Sequence, residues 1–442
     1  MRNRNVAALA AVTGLTLVLA ACSGSDSGDK TTSASAPAAA DITGNITVLT
    51  NRTDIVDTVF QDYKTQFEAE YPGVTVTFQA IKDYDGEVTT RMSTSDYGDV
   101  LLIPTTVTPA DLGDFFEPLG TVDELSKDYR FIKTEQNFDG VSYGLAITGN
   151  VNGLVYNKKV WADAGVKALP TTPDEFLADL KAIKGASDAV PLYTNYKDGW
   201  PLTQWESDRC GVTADPNCVN ALATMDAPWT EGSDHFVIDS LIFDAVAGGL
   251  TEADPTTTNW DQSKIDLATG KIATMALGSW SIQQMMDAAT TAGMDPADIG
   301  YMPFPAQVDG KFHSVASGDW KNGININSKN KDAARAWLFW FADKSGYATA
   351  NGGLSPRLDG PMPSTLGDFD AAGVEYIELT PAAVGQESVV NDIDTQAEIG
   401  LWSPDYRQRI VDAARGASGE TKEAIFADLN SRWAAAKADI VG

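Results

Sequence analysis

Asn45-Ile46-Thr47-Val48-Leu49-Thr50 opens the body of this chain, and its reading decides the fold. The run is short, apolar and β-branched, which reads as a buried strand. Asp54 then offers a helix N-cap, and Ile55, Val59, Tyr63 and Phe67 follow at a spacing of four, one face of an amphipathic helix. Tyr71-Pro72-Gly73 stops that helix. Val74-Thr75-Val76-Thr77-Phe78 is a second strand with Val74, Val76 and Phe78 on one face. A helix around Tyr84 to Ser93 and the continuous apolar run Val100-Leu101-Leu102-Ile103 complete the pattern. Strand, helix, strand, helix, strand predicts an α/β fold whose sheet is mostly parallel, with helices on both faces. In such sheets ligands bind beyond the carboxyl ends of the strands, which marks Asn51, Arg52, Asp54, Thr105 and Thr106.

A second region starts near Gly149. Asn152 to Lys158 reads as a strand ending in a turn, and Trp161 to Gly165 as a short helix with a glycine stop. Pro170-Thr171-Thr172-Pro173-Asp174-Glu175-Phe176 starts another helix, with proline and acidic residues where a helix N-terminus favours them. Ala189 to Tyr193, Gly270 to Gly278 and Gly300 to Pro305 read as strands, and Lys331 to Lys344 as a helix carrying Trp337, Trp340 and Phe341. From Trp402 onward two helices are expected, broken at Gly416-Ala417-Ser418-Gly419.

The N-terminus speaks of address. Arg2 and Arg4 precede an apolar stretch from Val6 to Ala21, about 16 residues and short for a membrane span. It ends in Leu19-Ala20-Ala21-Cys22, which resembles the bacterial lipobox, where the cysteine becomes the lipidated first residue after cleavage. Residues 1–21 are therefore expected to be a lipoprotein signal peptide. Residues 22–41, rich in Ser, Ala, Gly, Asp and Thr, form a flexible linker that lifts the body off the outer face of the membrane. Cys210 and Cys218 are then left, and outside the cell so close a pair is expected to be a disulfide. With 61 acidic against 32 basic residues, the net charge of -29 argues against nucleic acid and against docking on anionic lipid. The membrane is thus approached through the lipid anchor only.

Taken in order, these pieces resemble the sugar-type solute-binding proteins of ATP-driven bacterial importers, the maltose-binding group. The matching residues are Phe67 through Val76, Asp99 to Leu102, Tyr143-Gly144, Val155-Tyr156-Asn157-Lys158 and Pro170 to Phe176. They continue with Gly270 to Met275, Gly278-Ser279-Trp280, Gly323 to Ile326, Gly352 to Arg357 and the Trp402 helix. One departure is Gly98, where the family often has proline. The resemblance implies two lobes joined by crossing segments near Ala146–Gly149, Met302–Pro305 and Gly353–Arg357. Residues 42–148 and 305–356 would form the N-terminal lobe, and 149–304 with 357–442 the C-terminal lobe. A saccharide, expected to be an oligosaccharide, would be trapped between them and delivered to the transmembrane permease by a monomeric receptor.

A sugar offers hydroxyls on its edge and CH groups on its faces, so a site needs polar partners for the one and aromatic plates for the other. Of the 11 tryptophans, Trp161, Trp337, Trp340 and Trp433 lie in apolar helical settings that suit a core, while the sequence leaves Trp229 and Trp260 undecided. Trp280 follows a strand and a glycine exit at the carboxyl edge, where the family's stacking aromatic lies. Trp402 and Trp200 match further aromatic positions of the family, and Trp320 is a fourth candidate. For hydroxyls the candidates are Arg52 and Asp54, Asn150 and Asn152, Asp319 and Arg357. Asp54 either accepts hydroxyls or caps its helix, and Asp319 and Arg357 are equally suited to ion pairs.

No nucleophile elbow, Walker loop or metal-ligand spacing is present, and the only two histidines, His235 and His313, are far apart in sequence. No cofactor, metal or catalytic residue is therefore expected. A secreted glycoside hydrolase, with two carboxyl groups across the bond, remains the alternative of another class. A receptor for a peptide or a polyamine remains the alternative within this one.

Overall fold

The computed structural model describes residues 41–442; the expected signal peptide 1–21, Cys22 and the expected linker up to residue 40 lie outside the described residues. The first lobe begins with strand β1 (Gly44–Thr50), helix α1 (Val59–Glu70), β2 (Val74–Ala80), α2 (Tyr84–Arg91) and β3 (Val100–Leu102). β1 lies in parallel between β2 and β3, with Val48 opposite both Phe78 and Val100. α1 starts later than the sequence suggests. Its N-cap position is Thr58, and Asp54 does not cap it, because the Asp54 carboxylate is held by Arg52.

β4 (Leu145–Ala146) belongs to the same sheet, after which the chain crosses to the second lobe as β5 (Gly149–Asn157). Helices α3 (Pro173–Ala186), α4 (Trp200–Thr203), α5 (Asp234–Ala247) and α6 (Trp260–Ala268) follow, then β6 (Thr274–Gly278), α7 (Ser281–Thr291), β7 (Ile299–Met302) and β8 (Lys311–Gly318). α3 starts where the proline and acids placed it, with the Thr172 hydroxyl accepting the Glu175 N–H at 3.2 Å. β5 is the spine of the second sheet. Val155 pairs with Met275 of β6 on one side and Tyr301 of β7 on the other, and Val151 pairs with Ala316 of β8.

The chain returns at Asp319–Trp320 and enters the first sheet as β9 (Lys321–Ile324), antiparallel between β3 and β4. Helix α8 (Lys331–Lys344) covers that sheet, burying Trp337, Trp340 and Phe341 against Phe67 and Tyr63. Each such buried aromatic contributes roughly 1.5–3 kcal/mol. A last crossing through Gly353–Arg357 leads to β10 (Glu375–Ile377), α9 (Pro404–Ala414) and α10 (Lys422–Val441) in the second lobe. The break between α9 and α10 falls at the Gly416–Gly419 turn.

The middle crossing is displaced from the expected Met302–Pro305. β7 and β8 stay in the second sheet, so residues 311–318, grouped by sequence with the N-terminal lobe, lie in the second lobe, with 316–318 pairing with β5 and 313–315 with β10. The hydrophobic clusters are built from residues 42–436, so the body from Asp41 onward holds its own cores. No helix among the described residues is long and apolar enough to cross a membrane. Cys210 and Cys218 form a disulfide, and the Cys210 N–H is held at 2.9 Å by the Asp234 carboxylate at the start of α5.

Candidate functional site

The crossings bring two sheet edges together: the carboxyl ends of β1–β3 in the first lobe, and the ends of β6 and β8 beside the start of β5 in the second. The space between these edges is the candidate ligand cleft.

The first edge is polar. Arg52 leaves β1 and sends Nε and Nη2 to the two Asp54 oxygens, each at 2.8 Å. Its Nη1 donates to the Tyr347 hydroxyl at 2.7 Å and to the Asn351 amide oxygen at 2.9 Å. The Arg52 guanidinium holds the Asp54 carboxyl below its usual range, and burial pushes the Tyr347 phenol up so that it stays neutral. Asp319 lies close enough for its charge to reach Tyr347, and its backbone N–H donates to Thr148 at 2.8 Å. Trp320 packs edge-on to Tyr84 at 5.4 Å on the first lobe's core.

The second edge is aromatic. Trp200, Trp260 and Trp280 converge, with ring centroids 4.9 Å apart for Trp200–Trp260, 5.7 Å for Trp200–Trp280 and 6.0 Å for Trp260–Trp280. All three are half-buried on the second lobe's core, which leaves ring surface for a partner. Trp280 folds back over Gly278, where a Cβ would meet its indole at 2.6 Å, so the strand can end in this ring only through glycine. Asn150 lies beside it, its amide oxygen 3.4 Å from the Ser279 hydroxyl. Asn152 is more committed, donating its amide to the Val315 carbonyl at 3.2 Å. Gly199, at the foot of α4, packs on Pro404 at the start of α9, and Trp402, two residues before it, is 57% exposed.

The aromatic edge has a charged footing. Behind α4, the buried Glu206 takes Arg407 of α9 at 2.8 Å, Arg209 at 2.8 Å and His235 of α5 at 3.0 Å. Arg407 also reaches Asp239 at 3.1 Å. Burial pushes the Glu206 carboxyl up, but Arg209, His235 and Arg407 outweigh it and hold it well below the usual range. The network ties the turn that follows α4 to α5 and α9.

Ten residues were expected at the site. Trp200, Trp280 and Asn150 meet at the aromatic edge, Asn152 is tied to the neighbouring strand, Trp402 is exposed with no ring contact to them, and Arg52, Asp54, Asp319 and Trp320 share the polar edge. Arg357 is elsewhere: it grips Asp359 at 2.7 and 3.0 Å and stands over the Tyr129 ring, inside the hinge. Sequence reasoning missed Tyr347 and Asn351 and left Trp260 undecided. The tyrosine and amide just before Gly352-Gly353 were the available signal for the first two. Trp229 is core, buried with its indole N–H on Asp239 at 2.9 Å. A separate cavity of about 600 Å³ lies at the opposite end of β5, where Lys158 and Asp368 satisfy each other at 3.0 Å. No group of His, Cys, Asp or Glu among the described residues could hold a metal ion.

Comparison with known proteins gives this architecture its kin. The family of bacterial extracellular solute-binding proteins matches residues 51–348. The diacetylchitobiose binding protein DasA of Streptomyces coelicolor is 29% identical over 428 residues, covering 89% of this chain and 93% of its own. BlMnBP1, a binding protein of an ABC transporter from Bifidobacterium animalis subsp. lactis solved in complex with mannobiose, superposes with a TM-score of 0.75 at 36% identity, over 90% of this chain and 96% of that one. The apo form of RafE from Streptococcus pneumoniae shares the fold at a TM-score of 0.68 and 18% identity, over 91% of this chain and all of its own. The two-lobed architecture is thus shared with these proteins, and the chain belongs to the family of bacterial extracellular solute-binding proteins.

Proposed function

We propose that this protein is the saccharide receptor of an ATP-driven importer, binding a short oligosaccharide between its lobes and handing it to a transmembrane permease. The single observation that carries this reading is the convergence of Trp200, Trp260 and Trp280 at one edge of the cleft. Aromatic plates suit the CH faces of a sugar, and the Arg52–Tyr347–Asn351 group opposite suits its hydroxyls. The relatives point the same way: DasA by its name binds diacetylchitobiose, and BlMnBP1 and BlMnBP2 were solved with mannobiose and mannotriose. The Leu19-Ala20-Ala21-Cys22 sequence supports a lipid tether at Cys22 on the outer face of the cytoplasmic membrane. The body acts as a monomer and performs no chemistry on its ligand.

Thermal stabilisation of residues 41–442 by mannobiose, mannotriose and diacetylchitobiose, with peptides and polyamines as controls, tests the reading. A ligand at ~100 times its dissociation constant adds ~2.7 kcal/mol of stability, a shift of a few degrees for a body of this size. The expected result is a shift with a saccharide that is recovered uncut. A shift with a control alone would refute the sugar assignment, and a cleaved sugar would refute the receptor.

A further inference from the structure

One loop, Tyr129–Glu135, touches all three segments by which the chain passes between the lobes. At the first, the Phe131 ring lies on Gly149, where a Cβ would meet its Cζ at 2.5 Å. At the third, the Arg130 N–H donates to Pro356 at 2.7 Å, and Tyr129 bridges to Arg357. The first and third crossings are themselves joined, Gly149 and Leu354 exchanging two backbone hydrogen bonds of 2.8 Å. At the second, Glu135 accepts the Gly318 N–H at 2.9 Å and pairs with Lys321 at 2.6 Å. Gly318 and Lys321 bracket Asp319 and Trp320.

Phe131 is the unusual member. It is 2% exposed and has φ of 68°, a conformation that a bulky side chain keeps only when its surroundings hold it there. Its neighbours Tyr129 and Ile132 pack in the first lobe's core, yet Phe131 itself belongs to the cluster that holds Val151 and Ala316 of the second lobe and Leu354 of the third crossing. Its N–H donates at 3.0 Å to Glu378, just beyond β10. Glu135 and Lys321 are each 18% exposed, so their ion pair is largely removed from water and its geometry is held tightly.

We propose that Phe131 and Glu135 are positioning residues of the hinge. Phe131 is a wedge that sets the spacing of the first and third crossings, and so the angle between the lobes before ligand arrives. Glu135 anchors the second crossing and thereby holds Asp319 and Trp320 at the cleft edge. The inference rests on the reading of a receptor that closes on its ligand, but its test needs no ligand.

The test places spin labels on the exposed Gln66→Cys of α1 and Gln284→Cys of α7 in the 41–442 body, whose two cysteines are bonded to each other. Pulsed electron paramagnetic resonance then reads the distance between lobes. Phe131→Leu empties the wedge and Gly149→Ala crowds it, so the two shift the mean distance in opposite directions, and the double variant returns it toward wild type. Glu135→Gln keeps an acceptor for Gly318 but drops the charge on Lys321, and broadens the distribution. Phe176→Leu, the same truncation in the second lobe's core, lowers the melting temperature without moving the distance. Hinge variants that behave like Phe176→Leu would overturn the proposal. Should Phe131→Leu fail to fold, Gly149→Ala and Glu135→Gln decide it on their own. A protein that binds no saccharide yet shows these shifts would sink the proposed ligand and leave the hinge assignment standing.

Discussion

The two edges of the cleft prepare for a ligand in opposite ways. On the polar edge, Arg52 spends its donors on Asp54, Tyr347 and Asn351, so the group is satisfied and ordered while the cleft is empty. On the aromatic edge, the three indoles satisfy each other only in part and keep face available. The difference follows from what each chemistry costs. A buried polar group without a partner costs about 1–3 kcal/mol, so hydrogen-bonding residues must be engaged before the ligand comes. An aromatic ring bears no such penalty and needs only rigid backing. The footings differ accordingly. The polar edge stands on the hydrocarbon core under α8, whereas the aromatic edge packs on the second lobe's core with the buried Glu206–Arg407–Asp239 network following directly on α4, which carries Trp200.

The largest expected effect tests that footing. Arg407→Met leaves Glu206 and Asp239 without their shared cation, and should cost about 3–5 kcal/mol of stability by denaturant unfolding. A loss below about 1 kcal/mol would show that the network is not what supports the aromatic edge.

Next comes the edge itself. Trp280→Ala removes a plate able to cover about 100 Å² of sugar face, on the order of 2.5 kcal/mol, which is roughly 60-fold in affinity. Trp433→Ala, in a ring fully buried in α10, should instead lower stability by about 3–5 kcal/mol and leave the affinity of the folded protein unchanged. If both variants moved affinity equally, the division of tryptophans into plates and core would be wrong.

A smaller effect is expected at the polar edge. Arg52→Ala frees Tyr347 and Asn351 and should weaken binding by about 1–2 kcal/mol, roughly tenfold by calorimetry. Asp54→Asn should be smallest, below about 1 kcal/mol, because the Asp54 side chain is 60% exposed. Its sign with pH is fixed. Arg52 depresses the folded-state value, so the Arg52–Asp54 contribution is present above the unfolded carboxyl range and is lost as pH falls through the lower folded value. Wild type and Asp54→Asn should therefore converge in stability in acid and separate toward neutral pH. A gap that widened in acid would contradict the assignment.

The comparison also explains what was legible in the sequence. β1 and β3 announce themselves because a buried strand must be apolar along much of its length, β2 because its apolar residues alternate on one face, and α8 because its tryptophans recur at helical spacing. Trp280 is legible because its glycine exit is local. Trp260 is not, since it meets Trp200 and Trp280 only after α6 and β6 pack, across 60 and 20 residues of chain. The Asp54 partner was hidden because a carboxylate two residues from an arginine reads equally well as a cap. The middle crossing was misplaced because β7 ends in a proline-bounded turn like a crossing, and only the pairing of the later strand β8 with β5 shows that the chain stays in the second lobe. Glu206 and Arg407, 201 residues apart, leave no local trace at all.

The most direct test of the central claim is calorimetric titration of the 41–442 body and its Trp280→Ala variant with mannotriose and diacetylchitobiose. The account predicts one-to-one binding of at least one of them to the wild type, weakened by roughly 60-fold in the variant. Binding to neither, or binding that survives the loss of Trp280 undiminished, would contradict it.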